Sequence, residues 1–187
     1  MNEYRREYPF FSLCGLNCGL CPRFQTKGES KCPGCGGKDF HIKHPSCAII
    51  TCNKKHSQVE YCFQCASFPC KKYSDSSNVD SFISYRNVIT DFEKVSNEGL
   101  DKYKIELNQK IEILEFLINN YNDGRRKNFY CIAVNIMQLN DLENIMAEIN
   151  ENISKEEIPI KEKLEQIRLL FEIQASKDNI ELKLRKG

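Results

Sequence analysis

Between residues 100 and 184 the apolar positions recur with two different periods. Leu100, Tyr103, Leu107, Ile111, Leu114, Leu117, Ile118 and Tyr121 follow one another at helical spacing and predict one long amphipathic helix. Asn122-Asp123-Gly124 is expected to end it, with Gly124 as a left-handed cap. Phe129 to Met137 is a short apolar run that periodicity leaves open between strand and buried helix. Asn140 or Asp141 is expected to cap a helix carrying Leu142, Ile145, Met146 and Ile149. Ser154 with Glu157 reads as a capping box, and Pro159 suits an early position in a helix bearing Ile160, Leu164, Ile167, Leu170 and Phe171. Ile180-Glu181-Leu182-Lys183-Leu184 alternates strictly and predicts a strand.

Before residue 76 neither period holds. From Cys14 to Asp75 only Leu16, Leu20, Ile42, Ile49, Ile50 and Val59 are Leu, Ile or Val, whereas ten of the chain's 11 cysteines fall there. Six aliphatic side chains do not offset the entropy of ordering such a segment, at roughly 1–2 kcal/mol per residue. Bound structural zinc, worth about 10–16 kcal/mol per site in small peptides, would. The expected fold is therefore α+β: a small, loop-rich, metal-bound module over residues 1–75, then a mainly helical domain over 76–187 ending in the strand. Residues 74–81, Ser-Asp-Ser-Ser-Asn-Val-Asp-Ser, read as a polar linker or a helix start.

Charge divides at the same place. Residues 1–75 carry 11 Lys/Arg against 6 Asp/Glu, and the whole chain has a formal charge of +1. Two four-thiolate zinc sites bring about −4, so the local surplus balances thiolates more simply than it marks a nucleic-acid binder. The start of the chain has no apolar signal-peptide core, and no run of about 18 apolar residues occurs. A cytoplasmic protein with reduced thiols is expected, and no membrane partner.

The cysteine spacing carries the chemistry. Cys18-Gly-Leu-Cys21 and Cys32-Pro-Gly-Cys35 form C-x2-C-x10-C-x2-C, and Cys47-x4-Cys52-x9-Cys62-x2-Cys65 supplies four more ligands. Such pairs set thiolates tetrahedrally, and the glycine and proline beside them allow turns whose N–H groups face sulfur. Eight thiolates at four per ion give about two zinc ions; an iron–sulfur cluster is the alternative cofactor. Cys14 and Cys70 are outliers by spacing: additional ligands, redox thiols or buried fillers. His41, His44 and His56 are weaker ligand candidates. Cys14-x3-Cys18-x2-Cys21 also has radical-SAM spacing, but the loops and cysteines that follow do not suit the barrel which that chemistry needs. Outside the module, Arg125 and Arg126 precede the eleventh cysteine, Cys131. The simple reading is a solvated helix end and a core thiol; the sharper one is an anion-holding cleft.

Cys14-Gly-Leu-Asn-Cys18-Gly-Leu-Cys21-Pro22, Cys32-Pro-Gly-Cys35, Cys47 to Cys52, Cys62-Phe-Gln-Cys65 and Phe68-Pro69-Cys70 together resemble the cysteine-rich microbial domain-of-unknown-function family 3795. Asn122 to Cys131 resembles that family's C-terminal part. The resemblance implies zinc binding by the matching cysteines and nothing catalytic. No paired carboxylates, Ser/His/Asp set or phosphate-cradling glycine loop stands out in the sequence. A non-catalytic zinc adaptor for a protein or an anionic ligand is thus favoured over an enzyme. An iron–sulfur or thiol redox protein and a nucleic-acid-binding zinc module are the alternatives.

Overall fold

A computed structural model describes residues 4–44, 46–56, 58–74 and 79–186. The chain packs as two compact units, one of Met1–Ile105 with Leu184–Gly187 and the other of Glu106–Lys183. Part of the polar stretch 74–81, expected to be a linker or helix start, lies outside the described residues.

In the first unit regular structure is sparse until residue 88. Three short helices, α1 (Phe40–Lys43), α2 (Ala48–Lys55) and α3 (Lys71–Ser74), and two single 3-10 turns, Cys18–Leu20 and Cys62–Gln64, are joined by loops. The helix α4 (Val88–Glu98) follows, burying Val88, Phe92 and Val95 at helical spacing. It ends at Gly99, which takes φ +94° and returns its N–H to Val95 O.

Counting aliphatic residues understated this unit, because its core is aromatic. Phe92, 1% exposed, has ring neighbours in Phe11 at 5.7 Å, Phe63 at 5.2 Å and Phe68 at 5.4 Å. Phe11 also packs on Tyr61 at 5.2 Å and Tyr103 at 4.7 Å. Such rings bury about 150–250 Å² each, and their pairs add about 0.5–1.5 kcal/mol beyond burial. Asn17 is buried among them, donating to Asp91 Oδ2 at 3.0 Å and accepting the Tyr103 hydroxyl at 2.8 Å. A second cluster of Leu13, Cys35, Phe40 and Ile50 has Cys18, Cys47 and Cys62 packed against it.

The helix α5 (Leu100–Asn120) realises the long apolar stripe, with Leu107, Ile111, Leu114 and Leu117 buried in the second unit. The undecided run 129–137 is helical. In α6 (Lys127–Ile136), Tyr130, Cys131 and every residue from Ala133 to Ile136 are buried, as befits a central helix. The helices α7 (Leu139–Glu151) and α8 (Ile160–Lys177) present Leu142, Ile145 and Ile149, and Leu164, Ile167, Phe171 and Ala175, to the core. Lys110, 6% exposed, donates to Met137 O at 2.7 Å and so satisfies the C-terminal end of α6.

Three local expectations are corrected. Gly124, at φ +89°, lies four residues past the end of α5, and the Asn122 carboxamide oxygen instead accepts the N–H groups of Gly124 and Arg126 on the way into α6. Asn140 and Asp141 sit inside the first turn of α7, whose cap is Gln138. Ser154 donates to Asn150 O at 2.8 Å, closing the end of α7, and the Pro159 carbonyl receives the first N–H groups of α8.

The α+β class is also corrected: among the described residues there is no strand. Strict alternation over 180–184 fits a strand, but a strand needs a partner ladder, and this segment is irregular with a bend at Lys183. Asp178 caps α8, Asn179 follows it at φ +55°, and Ile180 N–H returns to Ala175 O at 2.7 Å. Arg185 is then held by Asp80, whose N–H donates to Arg185 O at 3.0 Å and whose carboxylate accepts Arg185 N at 2.9 Å.

Candidate metal centre

All eleven cysteines lie among the described residues, and none is joined in a disulfide. Ten of them belong to the first unit, where three cysteine-bearing turns are tied to the segment 9–14. Cys35 N–H donates to Pro9 O at 2.9 Å, Gly19 N–H to Phe10 O at 3.0 Å, and Cys62 N–H to Leu13 O at 2.9 Å. Three cysteine-bearing turns, far apart in sequence, are thereby fixed to one stretch of backbone. The approach at Gly34 is close enough to exclude a side chain: its φ is +79°, and a Cβ there would stand 2.4 Å from Pro9 O.

Arg6, which sequence reasoning passed over, ties the same turns. Its guanidinium is 2% exposed and lies over the Tyr61 ring at 4.5 Å. It donates to the carbonyls of Phe11 and Glu60 and pairs with the Glu60 carboxylate at 3.0 Å, while Arg6 N–H donates to Gly36 O. No spacing rule singles out an arginine eight residues before the first cysteine; only the fold does.

Two of the C-x2-C pairs share one backbone. Cys18 and Cys62 each open a single 3-10 turn, Cys21 and Cys65 close it, and the closing N–H returns to the opening carbonyl at 3.1 and 3.0 Å. Cys21 stands at φ −75°, ψ 135° and Cys65 at φ −75°, ψ 133°. Backbone N–H groups face sulfur as the sequence predicts: those of Arg23 and Phe24 on Cys21, that of Cys35 on Cys18, and that of Leu13 on Cys35. Cys47 precedes the first residue of α2 and Cys52 lies within it, which explains their looser spacing.

Burial raises the thiol pKa values, and neighbouring thiols raise them further. Cys18 is held well above its ordinary value by burial and then by Cys35, Cys14 and Cys21. Cys35 is pushed up to about 12, by burial and then by Cys14 and Cys47 against the opposing Leu13 N–H. Cys14 is raised by burial and by Cys47, although the Ser12 hydroxyl at 3.1 Å and the Leu16 N–H oppose this. Cys62 is pushed up to about 11 by burial and by Cys14, Cys70 and Cys52, with the Tyr73 hydroxyl opposing. Cys21 is raised by burial and by Cys32. These thiols are neutral at pH 7 without a cation, and a dication among them would reverse that balance.

Among the described residues no three His, Cys, Asp or Glu side chains stand close enough together to hold a metal ion. His44 stacks on Phe40 at 4.5 Å, His41 lies exposed on α1, and His56 ends α2 with its N–H on Cys52 O.

Arg125, Arg126 and Cys131 belong to the second unit. Arg125 is exposed, Arg126 pairs with Glu165 and, at 3.8 Å, with Asp123, and Cys131 is 2% exposed in the face of α6. The Arg126 guanidinium is therefore already engaged by carboxylates of its own unit.

Residues 10–75 match the family described as Protein of unknown function (DUF3795). The chain carries a domain of that family there, in agreement with the cysteine pattern. The match does not reach Asn122 to Cys131. No curated protein and no solved structure matches the chain.

Proposed function

We propose that this DUF3795 domain binds metal through its cysteine thiolates, zinc most simply, and acts as a binding module to which no reaction is assigned. The observation that carries the reading is the twin turn: Cys18–Cys21 and Cys62–Cys65 repeat one backbone to within 2° in ψ, with closing N–H groups alike. A repeated tight turn with a cysteine at each end is the backbone that tetrahedral thiolate ligation uses. The N–H groups aimed at sulfur supply the outer hydrogen bonds that stabilise bound thiolates. Thiols outside disulfides suit a reducing compartment, which supports the cytoplasm as the proposed location.

Elemental analysis of protein purified with and without oxygen tests the reading. About two zinc ions per chain are expected from eight thiolates at four per ion. Iron with acid-labile sulfide would replace zinc by a cluster, and a chain without metal would refute the proposal. Chelation is expected to open residues 10–75 to proteolysis first, since the cost of unbalanced thiols falls there.

A further inference from the structure

We propose that residues 4–8 form a lid over the Cys35 thiol, pinned shut by Arg6, so that this arm decides what reaches the cysteine. The inference goes beyond the metal-binding reading, because it concerns access to one thiol whether or not an ion is held there. Of the ten cysteines in the first unit Cys35 alone is buried, at 7% exposure, and the other nine are half-buried. The arm precedes residues 10–75, the part of the chain that matches the family.

The arm lies directly on the turn that carries Cys35. Arg6 N–H donates to Gly36 O at 3.0 Å. The Arg6 stem fills the notch that Gly36 leaves: at φ +74°, a Cβ on Gly36 would stand 2.8 Å from Arg6 Cγ. Tyr4 packs against the buried cluster of Leu13, Cys35, Phe40 and Ile50, its ring 6.2 Å from that of Phe40. The Tyr4 hydroxyl is hydrogen-bonded to the Cys35 side chain and accepts Arg6 Nη1 at 3.5 Å. Two neighbouring side chains of the arm thus cover one thiol.

The hold on the arm is polar and falls mainly on one residue. The Arg6 guanidinium donates to Phe11 O at 3.3 Å and to Glu60 O, pairs with the Glu60 carboxylate at 3.0 Å and lies over the Tyr61 ring. Its Nε is buried and has no acceptor among the described residues. The closed arm therefore carries one unmet donor that lifting would return to water, which lowers the cost of opening. Arg5 and Glu7, on either side, are exposed. The far end of the arm is fixed by other contacts: the Tyr8 hydroxyl donates to Lys104 O at 3.4 Å, and Pro9 O accepts Cys35 N–H at 2.9 Å. Residues 4–6 can thus swing about Glu7 while the Cys35 turn stays attached to Pro9.

The test is pulse labelling of the full chain, reduced and as purified, with N-ethylmaleimide, read for each cysteine by peptide mass spectrometry. A thiol under a lid reacts at a rate set by the open population. Loss of a hydrogen-bonded charge that holds the lid raises that population by about tenfold or more. Arg6→Ala is expected to speed Cys35 by that factor, with Cys131, buried in the second unit, unchanged. Because Arg6 also ties the turns around it, Tyr4→Ala is the second variant: it leaves those ties in place and removes the cover. It is expected to speed Cys35 while Cys21 and Cys65 keep their wild-type rates. Unchanged Cys35 labelling in both variants would overturn the lid. Equal acceleration of all ten cysteines of the first unit in both variants would overturn it too, because Tyr4 and Arg6 would then hold up the whole unit instead of covering one thiol.

Discussion

The side chain of Asp80 has no solvent exposure in its ion pair with Arg185, and replacing it by asparagine isolates the worth of one buried charge. The carboxylate accepts Arg185 Nη2 at 2.8 Å, Arg185 N at 2.9 Å and Tyr85 N at 2.8 Å. Burial alone would raise its pKa. The Arg185 side chain and the two backbone N–H groups outweigh burial and lower it from 3.8 to about 2. At about 1.4 kcal/mol per pH unit, that gap corresponds to roughly 2.5 kcal/mol. The folded-state pKa is depressed, so this stability is complete above about pH 5 and is lost as pH falls through about 2, with about half remaining near pH 3. Urea denaturation of the wild type and Asp80→Asn is expected to differ by about 2–2.5 kcal/mol at pH 7 and by about half that near pH 3. A difference that stays constant across this range, or is below about 0.5 kcal/mol at pH 7, would refute the assignment of the charge as the stabilising group.

Other perturbations follow from the packing. Phe92→Ala is expected to cost about 3–5 kcal/mol, read by denaturation, because it removes the ring on which Phe11, Phe63 and Phe68 meet. Gly34→Ala is expected to destabilise more than Gly28→Ala in thermal melts. Both pay about 1–2 kcal/mol for a left-handed backbone, but only at Gly34 does the added carbon meet backbone, whereas Gly28 faces open space. Lys110→Met is expected to cost about 1–3 kcal/mol by leaving Met137 O unsatisfied inside the second unit, and hydrogen exchange at the end of α6 should speed up with it.

Legibility in the sequence followed the range of the interactions. The stripe from Leu100 to Tyr121 could be read because a helix writes its buried face into local spacing. The C-x2-C turns could be read for the same reason, since both ends of each turn lie within four residues. The aromatic core could not: Phe11, Phe63 and Phe68 have no common period, and Phe92, the residue that unites them, lies beyond the change in composition. The strand expected over 180–184 failed on a related point, because alternation describes one chain whereas a strand is a property of two. Cys14 looks surplus by spacing, yet the fold sets Cys18, Cys35, Cys47 and Cys62 around it from other parts of the chain. Arg6 gave no signal because its partners at Phe11, Gly36 and Glu60 are scattered along the chain.

The pairing of Asp80 with Arg185, 105 residues apart, also sets an order of events during synthesis. At about 5–20 residues per second, the ribosome makes Arg185 about 5–20 seconds after Asp80. Through that interval the carboxylate that will be buried has no arginine, and the first unit cannot complete its last bonds. The second unit, Glu106–Lys183, is one continuous stretch made within the same interval, with all its own helices local in sequence. Its last residue, Lys183, is made only two residues before Arg185, so the first part of the chain to be made waits for nearly the whole second unit before it can be finished.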